Sequence, residues 1–247
     1  MARNPREKSE TGVYHIMLRG IDKKDIFIVN RDYEKFLYYV ERTMEISSFE
    51  IYGYCLMTNH VHILLKEGTE EIGDIVRRIA VGYAQYFNIK HGRTGHLFQN
   101  RFRSEPVNDE IYFLTVLRYI HQNPTKANLV ANLEDYKWSS YNEYIMKDKV
   151  GITNTSFAME LFPSIQSFEK FMAEENKDKC LEYNERIRYT DRELEKIIMS
   201  ITEISKLKEL DKKERDEVLK EIKTITKASN RQLSKITGIG RGVWDKV

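Results

Sequence analysis

The strongest constraint on this fold is a pair of strand-length apolar stretches set two residues apart. Ile51 to Met57 and His60 to Lys66 are each long enough for one strand, and Thr58-Asn59 between them leaves room only for a tight turn. They read as an antiparallel hairpin. Upstream, Gly12 to Gly20 reads as a further strand ending at a glycine turn. Asn30 is placed to cap a helix from Arg31 to about Ser47, in which Phe36, Leu37, Val40 and Met44 recur near helical spacing. A longer helical pattern runs from about Glu71 to Lys90 through Ile72, Ile75, Ile79, Tyr83, Tyr86 and Phe87, and Gly92 and Gly95 break it. Phe102 to Val107 reads as a fourth strand. Asn108 or Asp109 then caps a helix expected to end near Asn123, because Pro124 disfavours helix just before itself.

Strand, helix, two strands, helix, strand, helix is the order of a ferredoxin-like split β-α-β-β-α-β arrangement with an added helix. The expectation is an α+β domain over residues 1–148, one antiparallel sheet with helices packed on it. After Tyr144 the character changes to an all-α region over residues 149–247. Thr190 to Lys223 is helical and heavily charged. Residues 229–247 read as a helix, a turn at Thr237-Gly238-Ile239-Gly240 and a second helix from Arg241. Leu233, Ile236, Ile239, Val243 and Val247 form its expected inner seam, the pattern of a helix-turn-helix.

A hydrophobic content of 41% over 247 residues is ample for a core, which excludes a disordered chain. The net charge of +2 conceals an uneven distribution. Between Arg77 and Ser104 stand Arg77, Arg78, Lys90, Arg93, Arg101 and Arg103 with no acid. Between Ile222 and Val247, Lys223, Lys227, Arg231, Lys235, Arg241 and Lys246 face Asp245 alone. Two cationic segments suit a polyanion. The cysteines, Cys55 and Cys180, are too few and too far apart for a disulfide framework or a zinc knuckle. The polar amino terminus is no signal peptide, and no apolar run is long enough for a bilayer. A soluble, cytoplasmic protein with no membrane partner is expected.

The chemistry is concentrated in two places. On a strand, His60 and His62 project from one face, where two neutral imidazoles can hold a divalent metal. On the last helix of the first domain, Tyr119 and Asn123 are four residues apart and share a face. Packed on the sheet, that helix would set a phenol nucleophile and an amide oxygen beside the histidines. Two imidazoles and an amide, with open positions left for phosphate oxygen and water, suit Mg²⁺ or Mn²⁺ better than a closed zinc site. The phenol, with an ordinary pKa near ~10, needs help losing its proton. Metal proximity, His121 or an arginine are the available sources. Arg77, Arg78, Arg101, Arg103 and Arg118, with Arg241 in the last segment, are candidate DNA contacts. Phe98, Phe102 and Tyr83 are candidate stacking partners for unpaired bases.

Tyr54-Cys55-Leu56-Met57-Thr58-Asn59-His60-Val61-His62-Ile63-Leu64-Leu65 resembles the motif region of the single-tyrosine HUH transposases. Gly92 to Ser104 is similar to their arginine-rich stretch. Tyr119 to Ala127, followed by Leu129-Val130, is similar to their nucleophile helix, and Trp138-Ser139-Ser140-Tyr141 matches a further signature. The length and the carboxy-terminal extension point to the REP-associated tyrosine transposases and their relatives. Thr58 stands where the family usually has proline. The resemblance implies His60 and His62 as metal ligands, Asn123 in the place of the third, and Tyr119 as nucleophile. It also implies cleavage of single-stranded DNA beside hairpins through a 5′-phosphotyrosine, leaving a free 3′-hydroxyl, with rejoining by reversal. The competing readings are a catalytically silent regulator that binds hairpin DNA, a replication or plasmid nickase, and a structural zinc module. Monomer and homodimer both remain open, with Tyr119 acting in its own chain or its partner's.

Overall fold

The computed structural model describes residues 6–146, 151–175, 180–181, 189–226 and 228–246. Two compact units divide the chain, Met1–Glu182 and Tyr183–Val247. The boundary expected at 148/149 lies outside the described residues, as do Lys227 and Val247.

The first unit is built on four strands, β1 (Val13–Arg19), β2 (Glu50–Met57), β3 (His60–Lys66) and β4 (Arg103–Pro106). They form one sheet in the order β2-β3-β1-β4, every pairing antiparallel. The helices are α1 (Asn30–Ser47), α2 (Ile72–Lys90) and α3 (Glu110–Lys126). Element order and sheet are those of the expected ferredoxin-like split arrangement with an added helix. The β2–β3 hairpin turns on Thr58-Asn59, with Met57 opposite His60.

Alternation along the strands separates two cores. Tyr14, Ile16 and Leu18 of β1 and Val61, Ile63 and Leu65 of β3 pack under α1 and α2 with Phe36, Val40, Ile75, Ile79 and Tyr83. The opposite face holds Val13, Cys55, Met57 and Leu64, covered by α3 through Phe113, Val116, Leu117 and Ile120. Gly53 sits at a register shift in β2, and a Cβ there would meet Leu117 Cδ1 at 2.6 Å. The absent side chain lets α3 approach the strand.

Two local expectations change. Asn30 begins α1, and the capping acceptor is Asp32, whose carboxylate takes the Ile28 and Val29 amides at 2.9 and 3.1 Å. Helix α3 does not end at Asn123 but runs to Lys126 with Pro124 buried inside it. The proline lacks one amide donor. The ladder is taken up again by Ala127 N–H to Asn123 O and Leu129 N–H to Pro124 O.

Beyond α3, the segment around Ser139 runs along the outer edge of β2, with Leu56 N–H donating to Trp138 O and Ser140 N–H to Tyr54 O. Helices α4 (Tyr141–Ile145), α5 (Ser156–Glu160) and α6 (Ile165–Ala173) follow. Tyr144, Phe168 and Met172 share the α3 core, so the first unit extends past the expected boundary. Gln122 of α3 reinforces this by donating to the carbonyls of Met172 and Glu174, each at 2.7 Å.

The second unit comprises α7 (Asp191–Ile201), α8 (Lys212–Thr226), α9 (Asn230–Thr237) and α10 (Arg241–Trp244). Ser229 caps α9, and Gly238 ends it in the left-handed region at φ 67°. Leu233 and Ile239 are buried with Leu194, Ile198, Leu219 and Ile222, while Ile236 and Val243 are partly buried. Trp244, outside the expected seam, is the largest side chain in this core and is fully buried. Among the described residues, no helix is long and apolar enough to cross a membrane.

Candidate active site

His60, His62, Tyr119 and Asn123 gather on the α3 face of the sheet. His60 and His62 leave β3 on that face, opposite Arg19 and Met17 of β1. Their rings are 5.1 Å apart. Helix α3 crosses above and brings the Tyr119 ring to 5.6 Å from that of His62. Tyr119 is buried, at 6% exposure. Asn123, one turn on, donates its amide to the Tyr119 carbonyl at 2.8 Å, which turns its Oδ1 outward from the helix backbone.

The hydrogen bonds around His60 define which atoms are available. Its Nδ1 lies 2.6 Å from Asn59 Oδ1, while Asn59 Nδ2 donates to the Lys23 carbonyl. Asn59 Oδ1 is thus an acceptor, and neutral His60 carries its proton on Nδ1. Its other nitrogen is a bare lone pair, and the Asn123 side chain lies within hydrogen-bonding reach of the ring. One Nδ2 proton of Asn123 is donated to the Tyr119 carbonyl, and the Asn123 Oδ1 lone pairs, with the bare nitrogen of His60, leave a gap lined by two acceptors. Such a gap fits a cation. Burial, with Arg19 adding to it, lowers the His60 pKa to about 4, against the opposing effect of a hydrogen bond accepted by Asn123. Burial and the neighbouring His15 and His60 hold His62 well below the usual imidazole range. Both rings are therefore neutral near pH 7, as ligation requires. Among the described residues no group of three or more His, Cys, Asp or Glu side chains stands ready for a metal. The group here consists of two imidazoles and an amide.

His121 does not belong to this group. It is two residues from Tyr119, on another face of α3, and fully buried against Tyr141 and Tyr144. Its Nε2 lies 2.9 Å from Ser140 Oγ, the same hydroxyl that accepts from Tyr54 N–H. Burial lowers its pKa to about 3. His121 ties α3 to the sheet edge and is not placed to take the Tyr119 proton. A charge near the phenol is Lys126, whose Nζ is 5.2 Å from the Tyr119 ring centre. Its spacing of seven from Tyr119 on the same helix was the available sequence signal.

The arginines divide. Arg78 forms a two-pronged pair with Glu70 at 2.6 and 3.0 Å and donates to Ser47 Oγ, fastening α2 to the end of α1. Arg118 is largely buried, pairs with Glu174 at 3.1 Å and stacks on Phe171, fastening α3 to α6. Both guanidinium groups serve the fold. Arg77, exposed and paired with Asp74, lines a groove of about 480 Å³ along α2 with Arg101, Arg6, Phe98 and Phe102. Arg103, on β4 opposite Met17, shares the histidine face. Arg241 is exposed on α10 of the second unit, 3.8 Å from Asp245. Of the aromatic candidates, Tyr83 is fully buried beneath α1, with its hydroxyl on the Ile26 carbonyl, and cannot stack on a base.

The first unit is similar to known proteins. Residues 8–123 match the family model described as IS200-like transposase. The structure of a REP-associated tyrosine transposase bound to a REP hairpin is similar, with a TM-score of 0.52 and 18% identity. That match covers 62% of this chain and 90% of that one. A Deinococcus radiodurans protein described as a candidate transposase aligns with a TM-score of 0.34 and 14% identity, over 55% of this chain and 98% of that one. No curated protein matches the chain.

Proposed function

We propose, from the premise that residues 8–123 make this chain a member of the IS200-like transposase family, that it cuts and rejoins single-stranded DNA through a covalent tyrosine intermediate. DNA transposition is the general activity of that family. The observation that carries the finer reading is the meeting of the Tyr119 ring with His62 at 5.6 Å, beside the converging acceptors of His60 and Asn123.

Tyr119 Oη attacks the phosphorus of a phosphodiester in an unpaired strand. The new O–P bond forms as the P–O3′ bond breaks. The upstream strand leaves with a 3′-hydroxyl, which takes up a proton, and the phenol gives up its own. Attack by another 3′-hydroxyl on the 5′-phosphotyrosine reverses the step and joins strands. His60, His62 and Asn123 would hold Mg²⁺ or Mn²⁺, which polarises the phosphate and stabilises the charge developing on it. The Lys126 ammonium favours the phenolate over the phenol. Arg101, Arg77 and Arg103 supply phosphate contacts that hold the strand. The DNA-hairpin complex of the similar transposase supports hairpin-flanked DNA as the substrate. The α9–turn–α10 segment, with Arg241 exposed, adds duplex contact as a helix-turn-helix.

The test is covalent capture of labelled hairpin oligonucleotides from the DNA flanking the gene, with Mn²⁺ or with EDTA. A metal-dependent covalent band is expected, and Tyr119→Phe loses it by at least about a thousandfold while hairpin affinity stays within a few-fold. A covalent band that persists in Tyr119→Phe rules out this nucleophile.

A further inference from the structure

His15 is a fully buried imidazole with no part in the reaction just described. It lies on β1, diagonal to His62, because the register sets Met17 opposite His62 and His15 opposite Leu64. His15 Nε2 is 2.9 Å from His62 Nδ1, and the same ring meets Tyr119 edge-on at 5.9 Å. The other nitrogen of His15, Nδ1, is buried with no hydrogen-bond partner among the described residues.

Two neutral imidazoles joined by one hydrogen bond have two arrangements of their protons. In the first, His15 donates from Nε2, and His62 keeps its proton on its own Nε2. In the second, His62 donates from Nδ1, and its Nε2 lone pair is bare. Only the second leaves His62 a nitrogen able to coordinate. His60 has no such choice, because Asn59 Oδ1 can only accept and holds the proton on His60 Nδ1.

Resting on the reading of His60, His62 and Asn123 as a cation site, we propose that His15 is a positioning residue for that site. It accepts from His62 Nδ1–H and so holds His62 Nε2 open to the ion. The proton of His15 then sits on Nδ1, where it is buried and unpaired, and an unpaired buried donor is costly. The coordinating arrangement is therefore populated when a cation occupies the site, and the acceptor at His15 Nε2 sets how easily it is reached.

The experiment titrates full-length protein with Mn²⁺ in the absence of DNA, following free Mn²⁺ by electron paramagnetic resonance. His15→Leu, which removes the acceptor, is expected to weaken Mn²⁺ binding about 10–100-fold. His15→Gln, whose side-chain oxygen can accept near the position of Nε2, stays within a few-fold of the unaltered protein. Ring ¹⁵N shifts of His62 with Mg²⁺ bound report the proton on Nδ1. Equal Mn²⁺ affinity in His15→Leu, or a folded His15→Gln as weak as His15→Leu, overturns the proposal. So does a His62 proton on Nε2 in the Mg²⁺-bound protein, which decides the matter even where His15→Leu does not fold. Failure of the underlying site reading looks different: the unaltered protein takes up no Mn²⁺, or His60→Ala binds it equally well, and the role of His15 falls with it.

Discussion

The two faces of the sheet are made by the same strands and do opposite work. Under α1 and α2, Ile16, Leu18, Val61, Ile63 and Leu65 meet Phe36, Val40, Ile75 and Ile79 in an apolar layer. Its principal charge, Asp32, stands at the margin, held by Lys90 and His91. On the α3 face, the alternate positions of β1 and β3 bring His15, His60 and His62 under a buried tyrosine. Buried imidazoles cost stability unless hydrogen-bonded, and here His15 pairs with His62 and His60 with Asn59. One face holds the strands in register, and the other uses that register to converge groups distant in sequence.

The comparison can be broken most sharply by truncating one residue on each face. Phe36→Ala leaves a cavity in the apolar layer and is expected to destabilise the first unit by about 3–5 kcal/mol, abolishing every activity together. His60→Ala is expected to abolish metal binding and covalent cleavage while moving the melting temperature by only a few degrees, roughly 1 kcal/mol. A melting shift as large in His60→Ala as in Phe36→Ala would show that the two faces do not divide their roles.

Next in size is the pH dependence of the apolar face. Burial raises the Asp32 pKa, but hydrogen bonds from Lys90, the Ile28 and Val29 amides and His91 outweigh it and hold it at about 2. A carboxylate whose folded pKa lies below its unfolded value contributes stability above the unfolded value and loses it as pH falls through the folded one. The contribution is therefore complete above about pH 4 and lost toward pH 2, on the order of 2 kcal/mol. Denaturant titrations at stepped pH should show this loss, and Asp32→Asn should be weaker at neutral pH with the step removed.

The smallest effects separate the arginines. Arg101→Ala should lower DNA affinity alike for all sequences and reduce the salt-dependence slope by about 0.7 for a single strand. Arg118→Ala should leave that slope unchanged and loosen α6 by about 1–2 kcal/mol, because its partners are Glu174 and Phe171. An altered slope in Arg118→Ala would return that residue to the DNA surface.

Much of this was legible along the chain because it depends on local periodicity. Alternation in His60 to Lys66 set both histidines on one face, and the spacing of Tyr119 and Asn123 set them on one side of a helix. The strand and helix order, and with it the ferredoxin-like arrangement, follows from the same short-range patterns. Tertiary structure alone decided which groups distant in sequence meet. His15 and His62 are 47 positions apart and meet only through the β1–β3 register. His121 and Arg118 have side chains suited to chemistry, and only the packing of α3 on Ser140 and α6 makes them structural. Pro124 remains in the helix because packing on the core outweighs the missing amide donor. A sequence specifies directly what one strand or one turn can specify. Partner choice for a buried polar group depends on which surfaces are pressed together, and that is settled by the burial of the apolar groups around it.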